Sequence, residues 1–377
     1  MTHWYSQRAY FLVAVPRRTA VATSVSVVIN GETTAEFAGI DQPAVTAWMG
    51  DHIDGLQPPL QFELIAGGHS NLTFKVTDQR DEHYVFRRPP LHQVLASAHD
   101  MSREHKIMAA LQGSAVPVPE VIGLCTDESV NERPFYVMRY VDGHVMRDLN
   151  QANKLSDEVK DHASQSLVDT LAAIHAVDID AVGLTDLGRK EDYIARQLRR
   201  WMGQYDNSKT REIPAIQEVH DHLAAHIPDQ QGASIVHGDY RLDNCMINDA
   251  GDVIAVLDWE ICTLGDPLAD IAQLITYWAE PADTMSALVA TPTASPGFWS
   301  RQQVLEAYDV VSDRSLVDID FYLAFANWKL ACILEGVYSR YIGGAMGDKT
   351  PAGGTDGFVT SIDNLVARSA ELASNVT

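Results

Sequence analysis

The sequence is poor in cysteine and in basic residues, and it has no long apolar run. Its four cysteines, at 125, 245, 262 and 332, stand far apart and form no C-x-x-C pair, which indicates reduced thiols rather than disulfides or a zinc site. Only 28 lysines and arginines stand against 51 aspartates and glutamates, and no basic stripe typical of a nucleic-acid binder is visible. The apolar runs are too short to span a membrane. We therefore expect a cytoplasmic protein that binds neither nucleic acid nor membranes.

What is present is enough apolar material for a sizeable core. The chain has 377 residues, 46% of them hydrophobic, a length typical of two domains or lobes. We expect residues 1–36 to form a poorly structured extension, residues 37–140 a strand-rich N-terminal lobe and residues 141–377 a helical C-terminal lobe. The fold class predicted from this order is α+β.

The N-terminal lobe shows short β-like runs at 62–65, 72–76, 84–87 and 135–140, with a helix over 104–111 that Asp100 could cap. Between the first two runs, Gly67 and Gly68 would let backbone approach phosphate groups, and Ser70 and Asn71 could donate hydrogen bonds to them. The alternative for this segment is an ordinary hairpin turn.

The sharpest pattern lies in the C-terminal lobe. The stretch H-G-D-Y-R-L-D-N at 237–244 is followed by D-W-E at 258–260, and an apolar strand leads into each. Transfer of a phosphoryl group to a hydroxyl needs a carboxylate near the attacking oxygen and oxygen ligands for a divalent metal. Asp239, Asn244 and Asp258 could supply these groups. The alternative is a surface turn, since Asp, Asn and Gly are turn formers, but the spacing and the flanking strands favour the functional interpretation.

H-G-D-x-x-x-x-N with a downstream D-x-[DE] resembles the aminoglycoside-phosphotransferase-like branch of the protein-kinase fold. Within that branch the chain looks closest to kinases associated with acyl-CoA dehydrogenases. The resemblance covers roughly residues 60–345, and its motifs lie at 67–71, 84–90, 196–201, 236–244 and 257–270. It implies a bilobal protein-kinase-like fold, with one main helix in the strand-rich N-lobe and a larger helical C-lobe. It also implies ATP and Mg²⁺ as cofactors and a small-molecule hydroxyl as acceptor.

By this resemblance Asp239 matches the catalytic base, Asn244 and Asp258 match the Mg²⁺ ligands, and Glu260 replaces the second acid of D-x-D. His237 is expected to order the loop rather than transfer protons. Asp270 is expected to cap or anchor the helix that follows.

The same resemblance assigns a nucleotide site to the N-lobe. Arg87 stands where kinases carry the lysine of strand three, with Glu104 as its ion-pair partner. Met138, Arg139 and Val141 match the hinge, where the backbone of the last two would bond an adenine edge. With the Gly-rich loop at 67–71, they complete the predicted cofactor site.

A helix carrying Arg196, Arg200, Trp201 and Tyr205 is basic and aromatic in an otherwise acidic chain. It is as consistent with a solvated face over a packed Trp201 as with substrate binding. If it binds substrate, a polyanionic hydroxyacyl-CoA suits it, whereas an aminoglycoside or another amino-sugar or amino-alcohol would want an acidic pocket. A nucleotide-binding, pseudokinase-like module without chemistry is the remaining alternative.

Overall fold

The computed structural model describes residues 25–29, 32–66, 71–91, 100–283, 292–344 and 355–377. Its contacts divide the chain into two compact units. The first is strand-rich and, among the described residues, is formed by those between 25 and 112 together with Val118–Asp142. The second is helical and is formed by the short segment Gly113–Pro117 and the chain from Gly143 onward. In the described part of the chain, no helix combines the length and the apolar character needed to cross a membrane.

The strand-rich unit is built around an antiparallel sheet whose strand order is β3-β4-β5-β7-β6. A separate hairpin, β1 with β2, falls in the stretch where the sequence indicated little structure. The described elements of this unit are β1 (Val25–Ile29), β2 (Glu32–Glu36), α1 (Gln42–His52), β3 (Gln61–Ala66), β4 (Leu72–Thr77), β5 (His83–Arg88), α2 (Met101–Leu111), β6 (Val121–Cys125) and β7 (Phe135–Arg139).

The two helices of this unit pack on opposite faces of the sheet, because successive side chains of a strand point to opposite sides. Phe86 of β5 joins the core that also contains Met49 of α1 and Phe135 of β7, and the two phenylalanine rings lie 4.7 Å apart. The next residue, Arg87, points to the other face and pairs with Glu104 of α2. The sheet therefore presents one apolar face and one face that carries a buried ion pair.

The helical unit is organised around one long buried helix, α9, which contacts α5, α6, α7 and α10. The Trp328 indole donates to the Ile216 carbonyl of α6 at 2.9 Å, and the Ser369 hydroxyl of α10 donates to the Ala324 carbonyl at 2.7 Å. The described elements are α3 (Leu149–Ala152), α4 (Asp157–Ala176), α5 (Tyr193–Ser208), α6 (Pro214–Ala225), β8 (Ser234–Val236), β9 (Cys245–Ile247), β10 (Val253–Val256), β11 (Thr263–Gly265), α7 (Leu268–Tyr277), α8 (Arg301–Val311), α9 (Ile319–Ile342) and α10 (Asp356–Ala373).

Four short strands of the helical unit hold two loops side by side. β8 pairs with β11 and β9 pairs with β10, both antiparallel. The 237–244 loop runs from β8 to β9, and the 257–262 loop runs from β10 to β11. Each loop therefore crosses from one strand pair to the other, and the Leu257 N–H donates to the Asn244 carbonyl at 2.8 Å where the loops meet. This arrangement brings the two halves of the sequence motif together.

Candidate active site

His237 fixes the start of the 237–244 loop from a fully buried position. Its Nε2 donates to the Leu257 carbonyl at 2.9 Å, and its Nδ1 accepts from the Asp239 N–H at 3.2 Å. Both bonds require the neutral ring protonated at Nε2, and burial lowers the pKa of this histidine, which favours the neutral form. His237 thus orders the loop and joins it to the 257–262 loop.

Asp239 carries a carboxylate with one fixed and one unbonded oxygen. The residue is 4% exposed, and its Oδ2 accepts from Asn244 Nδ2 at 2.9 Å. Its Oδ1 lies 3.4 Å from Arg241 Nε, and no group in the described part of the chain donates a hydrogen bond to it. Burial raises the pKa of Asp239 to about 7, opposed by Arg241 and reinforced by the charges of Asp243 and Asp258. Because Oδ1 is buried and accepts no hydrogen bond from these residues, it can accept a proton from a hydroxyl placed next to it.

Arg241 is the buried cation of the same loop, and the motif-based assignment gave it no role. Its Nη2 lies 3.0 Å from Asp243 Oδ2, and its guanidinium carbon lies 4.9 Å from the centre of the Tyr277 ring. Burial disfavours its charge, but the Asp239 and Asp243 carboxylates outweigh this and hold its pKa above the usual value. Nη1 has no hydrogen-bond acceptor among the described residues. Its position between two acidic residues of one loop was the signal that could have identified it.

Asp270 holds the backbone of the loop from helix α7. Its carboxylate accepts the N–H of His237 at 2.6 Å and that of Gly238 at 2.9 Å, and His175 Nε2 lies 3.5 Å away. Although burial acts in the opposite direction, these partners lower the pKa of Asp270. Asp270 does not cap α7, because two main-chain N–H groups of the 237–244 loop take up its oxygens, and through these bonds it anchors the helix to that loop. Gly238 sits at φ 83°, a conformation that favours glycine.

A second support for the same loop comes from Gln273 of α7, which is itself bonded by Lys329 of α9. Gln273 Nε2 donates to the Gly238 carbonyl at 2.7 Å, and Lys329 Nζ donates to Gln273 Oε1 at 2.7 Å. Sequence reasoning missed both residues. The available signal was a polar residue in an otherwise apolar, buried helix, since such a side chain needs a partner in the interior.

Asn244, Asp258 and Glu260 are the predicted metal ligands. Asn244 uses its amide nitrogen on the Asp239 carbonyl (2.8 Å) and carboxylate, which leaves its Oδ1 as an acceptor for a cation. Asp258 is half-buried, has a left-handed backbone with φ 65°, and lies near enough for its charge to act on Asp239. Glu260 is also half-buried, in the short turn Trp259–Ile261.

These side chains suit a metal ion that takes only a few of its ligands from the protein and the rest from phosphate and water oxygens. The described residues contain no group of three or more His, Cys, Asp or Glu side chains placed to hold a metal ion. An amide oxygen of Asn244 and a carboxylate of Asp258 are hard donors, and Mg²⁺ is commonly held by one or two carboxylates plus phosphate and water oxygens. The donor set therefore suits Mg²⁺ better than zinc.

The four predicted substrate residues of α5 divide into two pairs. Arg196 donates through Nη2 to the Arg189 carbonyl at 2.8 Å, and the Tyr205 hydroxyl donates to the Arg211 carbonyl at 3.2 Å. Tyr205 is buried and Arg196 is half-buried. These bonds tie the helix to neighbouring loops, which is a structural use of both side chains.

Arg200 and Trp201 form the other pair, and they lie beside Lys329. The Arg200 guanidinium carbon is 5.2 Å from the Trp201 ring centre, and Lys329 Nζ is 5.8 Å from it. Trp201 is 4% exposed, and its indole donates to Gln197 Oε1 at 2.9 Å. Of the basic helix, this pair is the part connected to the 237–244 loop, through Lys329 and Gln273.

In the strand-rich unit, Arg87 and Glu104 form a two-pronged ion pair. Arg87 Nε donates to Glu104 Oε2 and Nη2 lies next to Oε1, both at 3.1 Å, while Nη1 donates to the Thr73 hydroxyl at 3.1 Å. Glu104 is 2% exposed, so the pair is largely removed from water. The arginine is thereby fixed in one orientation on β5.

The remaining predicted nucleotide-binding residues lie in three places. Asn71 is buried beside β4, whereas Gly67, Gly68 and Ser70 lie outside the described residues. Met138 is buried at the end of β7 and Val141 is half-buried just after it. The Arg139 N–H already donates to the Glu120 carbonyl at 2.8 Å. This N–H is engaged within the sheet edge, and the expectation that the backbone of Arg139 and Val141 bonds an adenine edge stays a prediction.

Comparison with known proteins gives a family and a set of relatives. Residues 61–296 match the model of the phosphotransferase enzyme family. Acyl-CoA dehydrogenase family member 10 of Mus musculus is 35% identical over 306 residues, and member 11 of Homo sapiens is 32% identical over 310 residues. Each alignment covers 80% of this chain, but it spans only 28% of the mouse protein and 40% of the human one.

Solved structures share the fold along most of the chain. A Ralstonia eutropha protein, provisionally assigned as an aminoglycoside phosphotransferase, is 34% identical with a TM-score of 0.76 over 89% of this chain and 99% of its own. The kanamycin and GDP complex of APH(2")-IIIa has a TM-score of 0.57 over 87% of this chain and 98% of that one. At 15% identity this second likeness concerns the fold alone.

Proposed function

The chain belongs to the phosphotransferase enzyme family, and on that premise we propose that it transfers the terminal phosphoryl group of ATP to a hydroxyl of a small molecule. The observation that carries the proposal is the Asp239 carboxylate, whose Oδ1 is buried, fixed in place and without a hydrogen-bond donor among the described residues. A hydroxyl placed there would donate to it. The Ralstonia eutropha protein, 34% identical and provisionally assigned as an aminoglycoside phosphotransferase, supports the reaction class.

In this reaction Asp239 accepts the proton of the acceptor hydroxyl while that oxygen bonds to the terminal phosphorus, and the bridging P–O bond to ADP breaks. Asn244 holds the carboxylate through Oδ2, so Oδ1 stays directed at the acceptor. Asp270 and Gln273 hold the Gly238 peptide group from both sides, which fixes the loop that carries the base. Positioning of this kind is the protein's main contribution to phosphoryl transfer.

Asn244 and Asp258 would hold Mg²⁺, with Glu260 close by in sequence. When bound, the ion neutralises the negative charge of the nucleotide phosphates. Within the strand-rich unit, Arg87, fixed by Glu104, would bind nucleotide phosphate as the lysine of strand three does in kinases. We propose ATP as the nucleotide. Transfer from GTP but not from ATP in the assay below would change this choice.

The proposed acceptor is a hydroxyacyl-CoA or a related hydroxy-acid thioester. Two observations support it: the relatives are acyl-CoA dehydrogenase family members, and the cations Arg200, Arg241 and Lys329 belong to the same region of the helical unit. An aminoglycoside carries several positive charges and would meet these cations unfavourably.

The test is a transfer assay with a matched pair of variants. The protein is incubated with ATP or with GTP, each with Mg²⁺, and with a panel of hydroxyacyl-CoAs and aminoglycosides, and products are weighed by mass spectrometry. We expect the mass of one phosphoryl group on a hydroxyacyl-CoA, and none with Asp239→Asn. Asp249→Asn is the control, since the side chain of Asp249 is 96% exposed and, among the described residues, bonds only His144. Full activity of Asp239→Asn would overturn the proposal, and a gain on an aminoglycoside alone would replace the acceptor.

A further inference from the structure

Lys329 is a buried cation whose surroundings in the chain leave it incompletely bonded. The residue is 7% exposed, in the middle of α9, and Gln273 Oε1 is its hydrogen-bond acceptor. Within the described part of the chain no carboxylate forms an ion pair with it, although an ammonium group has three hydrogens to donate. Burying a charge without a counter-charge is costly, so a side chain kept in this state calls for a reason.

The carboxylates in this region are already engaged by other groups. Asp270 accepts two main-chain N–H groups and faces His175, and Asp239 is bonded by Asn244 and faces Arg241. Both act on Lys329 only through space, and Arg200 adds a second positive charge next to it. Lys329 and Arg200 are therefore two neighbouring buried or half-buried cations, and the carboxylates that act on Lys329 are bonded to other groups.

The position of this charge relates it to the proton acceptor. Gln273, which receives the Lys329 hydrogen bond, donates to the carbonyl of Gly238, the residue directly before Asp239. The indole of Trp201 lies against both Lys329 and Arg200 and offers an apolar wall beside them. Two cations beside one indole ring suit a ligand that combines an anionic or carbonyl oxygen with a hydrocarbon part.

We propose that Lys329, with Arg200 and the face of Trp201, forms the subsite that binds the acyl oxygen of the acceptor, as a carboxylate or as a thioester carbonyl. The inference rests on the proposed function and deepens it, because it restricts acceptors to hydroxylated acids and their thioesters. The Lys329 ammonium donates to the acyl oxygen, while the acceptor hydroxyl reaches Asp239. The free hydrogens of the ammonium are then used by substrate rather than by the protein.

The test uses ligands that cannot be phosphorylated, so it does not depend on turnover. Binding of a saturated acyl-CoA and of the matching free fatty acid, both without a hydroxyl, is measured by calorimetry with the full chain. We expect wild type to bind at least one of them, Lys329→Met to bind it about tenfold more weakly, and Lys329→Arg to stay within about threefold. The two ligands distinguish a thioester carbonyl from a free carboxylate.

Lys160→Met is the matched control. Lys160 is also a buried lysine of the helical unit, but it lies on α4 and bonds the Pro296 carbonyl at 2.8 Å. Its affinity should equal that of wild type. Arg200→Met is the second variant, and it should weaken binding several-fold even if Lys329→Met folds poorly. Equal affinity of wild type and both cation variants, or no binding of either ligand by wild type, would overturn the subsite.

Two outcomes separate the subsite from the proposed function. If acyl ligands bind in a Lys329-dependent manner but no hydroxylated acceptor gains a phosphoryl group, the function falls and the subsite stands. If hydroxyacyl acceptors are phosphorylated and Lys329→Met lowers kcat with KM unchanged, Lys329 acts only by positioning Gln273 and the subsite is refuted.

Discussion

Removing the charge of Lys329 should stabilise the ligand-free protein below about pH 8. Burial lowers the pKa of this lysine from 10.5 to about 8, with Asp270 and Asp239 acting to raise it and Arg200 to lower it further. At about 1.4 kcal/mol per pH unit, this difference corresponds to a penalty of about 3 kcal/mol for keeping the group charged in the fold. Loss of the hydrogen bond to Gln273 offsets about 1 kcal/mol of the gain in Lys329→Met.

The penalty depends on pH in a defined direction. Between about pH 8 and about pH 10.5 the unfolded chain keeps the Lys329 proton while the folded chain loses it, so the free energy of unfolding rises with pH. Below about pH 8 the penalty is complete, and above the unfolded pKa it disappears. From about pH 7.5 to about pH 9.5 the advantage of Lys329→Met over wild type should shrink by about 2 kcal/mol.

Guanidinium unfolding at the two pH values, followed by tryptophan fluorescence, measures this change. The fluorescence reports mainly on the helical unit, which contains five of the six tryptophans among the described residues, at 201, 259, 278, 299 and 328. Comparing variants at each pH cancels the titration of all other groups. A stability difference between Lys329→Met and wild type that is the same at both pH values would refute the reasoning, because it would mean that Lys329 titrates alike in the folded and unfolded chains.

Three further changes test other parts of the site. Asp270→Asn removes one acceptor from the two main-chain N–H groups, so kcat should fall at least about tenfold and Tm should drop; an unchanged kcat would contradict loop anchoring. Arg87→Met leaves Glu104 buried without its guanidinium and should cost about 3 kcal/mol in the unfolding of the strand-rich unit, whereas Arg87→Lys should keep much of the pair. Gly251→Ala places a Cβ 2.6 Å from a carbonyl of α4 and should lower Tm, more than Gly344→Ala, which has open space; equal shifts would contradict the packing argument.

Local patterns predicted much of the secondary structure. Alternating apolar residues located β3, β4, β5 and β7, and Asp100 marked the start of α2, where its carboxylate accepts the Arg103 N–H at 3.1 Å. The sequence did not predict α1, whose buried residues Val45 and Met49 stand four apart in a short helix, or β6, which contains Gly123. These elements lack a repeated pattern of their own and are stabilised by packing on the sheet.

For the site, the sequence located the residues that stand within one motif but not those that arrive from elsewhere. Asp239 and Asn244 are five residues apart on one loop, so their meeting is a local event. Asp270, Gln273 and Lys329 reach that loop from α7 and α9, and hydrophobic periodicity cannot tell which polar side chain of a buried helix points to it. Contacts between residues distant in sequence depend on tertiary packing, and a short stretch of sequence carries no information about that packing.

The left-handed backbone of Asp258, at φ 65°, limits which substitutions at this position the fold of an evolving descendant would tolerate. Only glycine, asparagine and aspartate adopt that conformation readily, and other residues incur about 1–2 kcal/mol of strain. A lineage released from selection for catalysis would therefore pass first through Asn or Gly at this position, since these replacements discard the carboxylate while sparing the fold. For the same reason an alanine there would combine backbone strain with loss of the proposed metal ligand, whereas asparagine would test the proposed ligand alone.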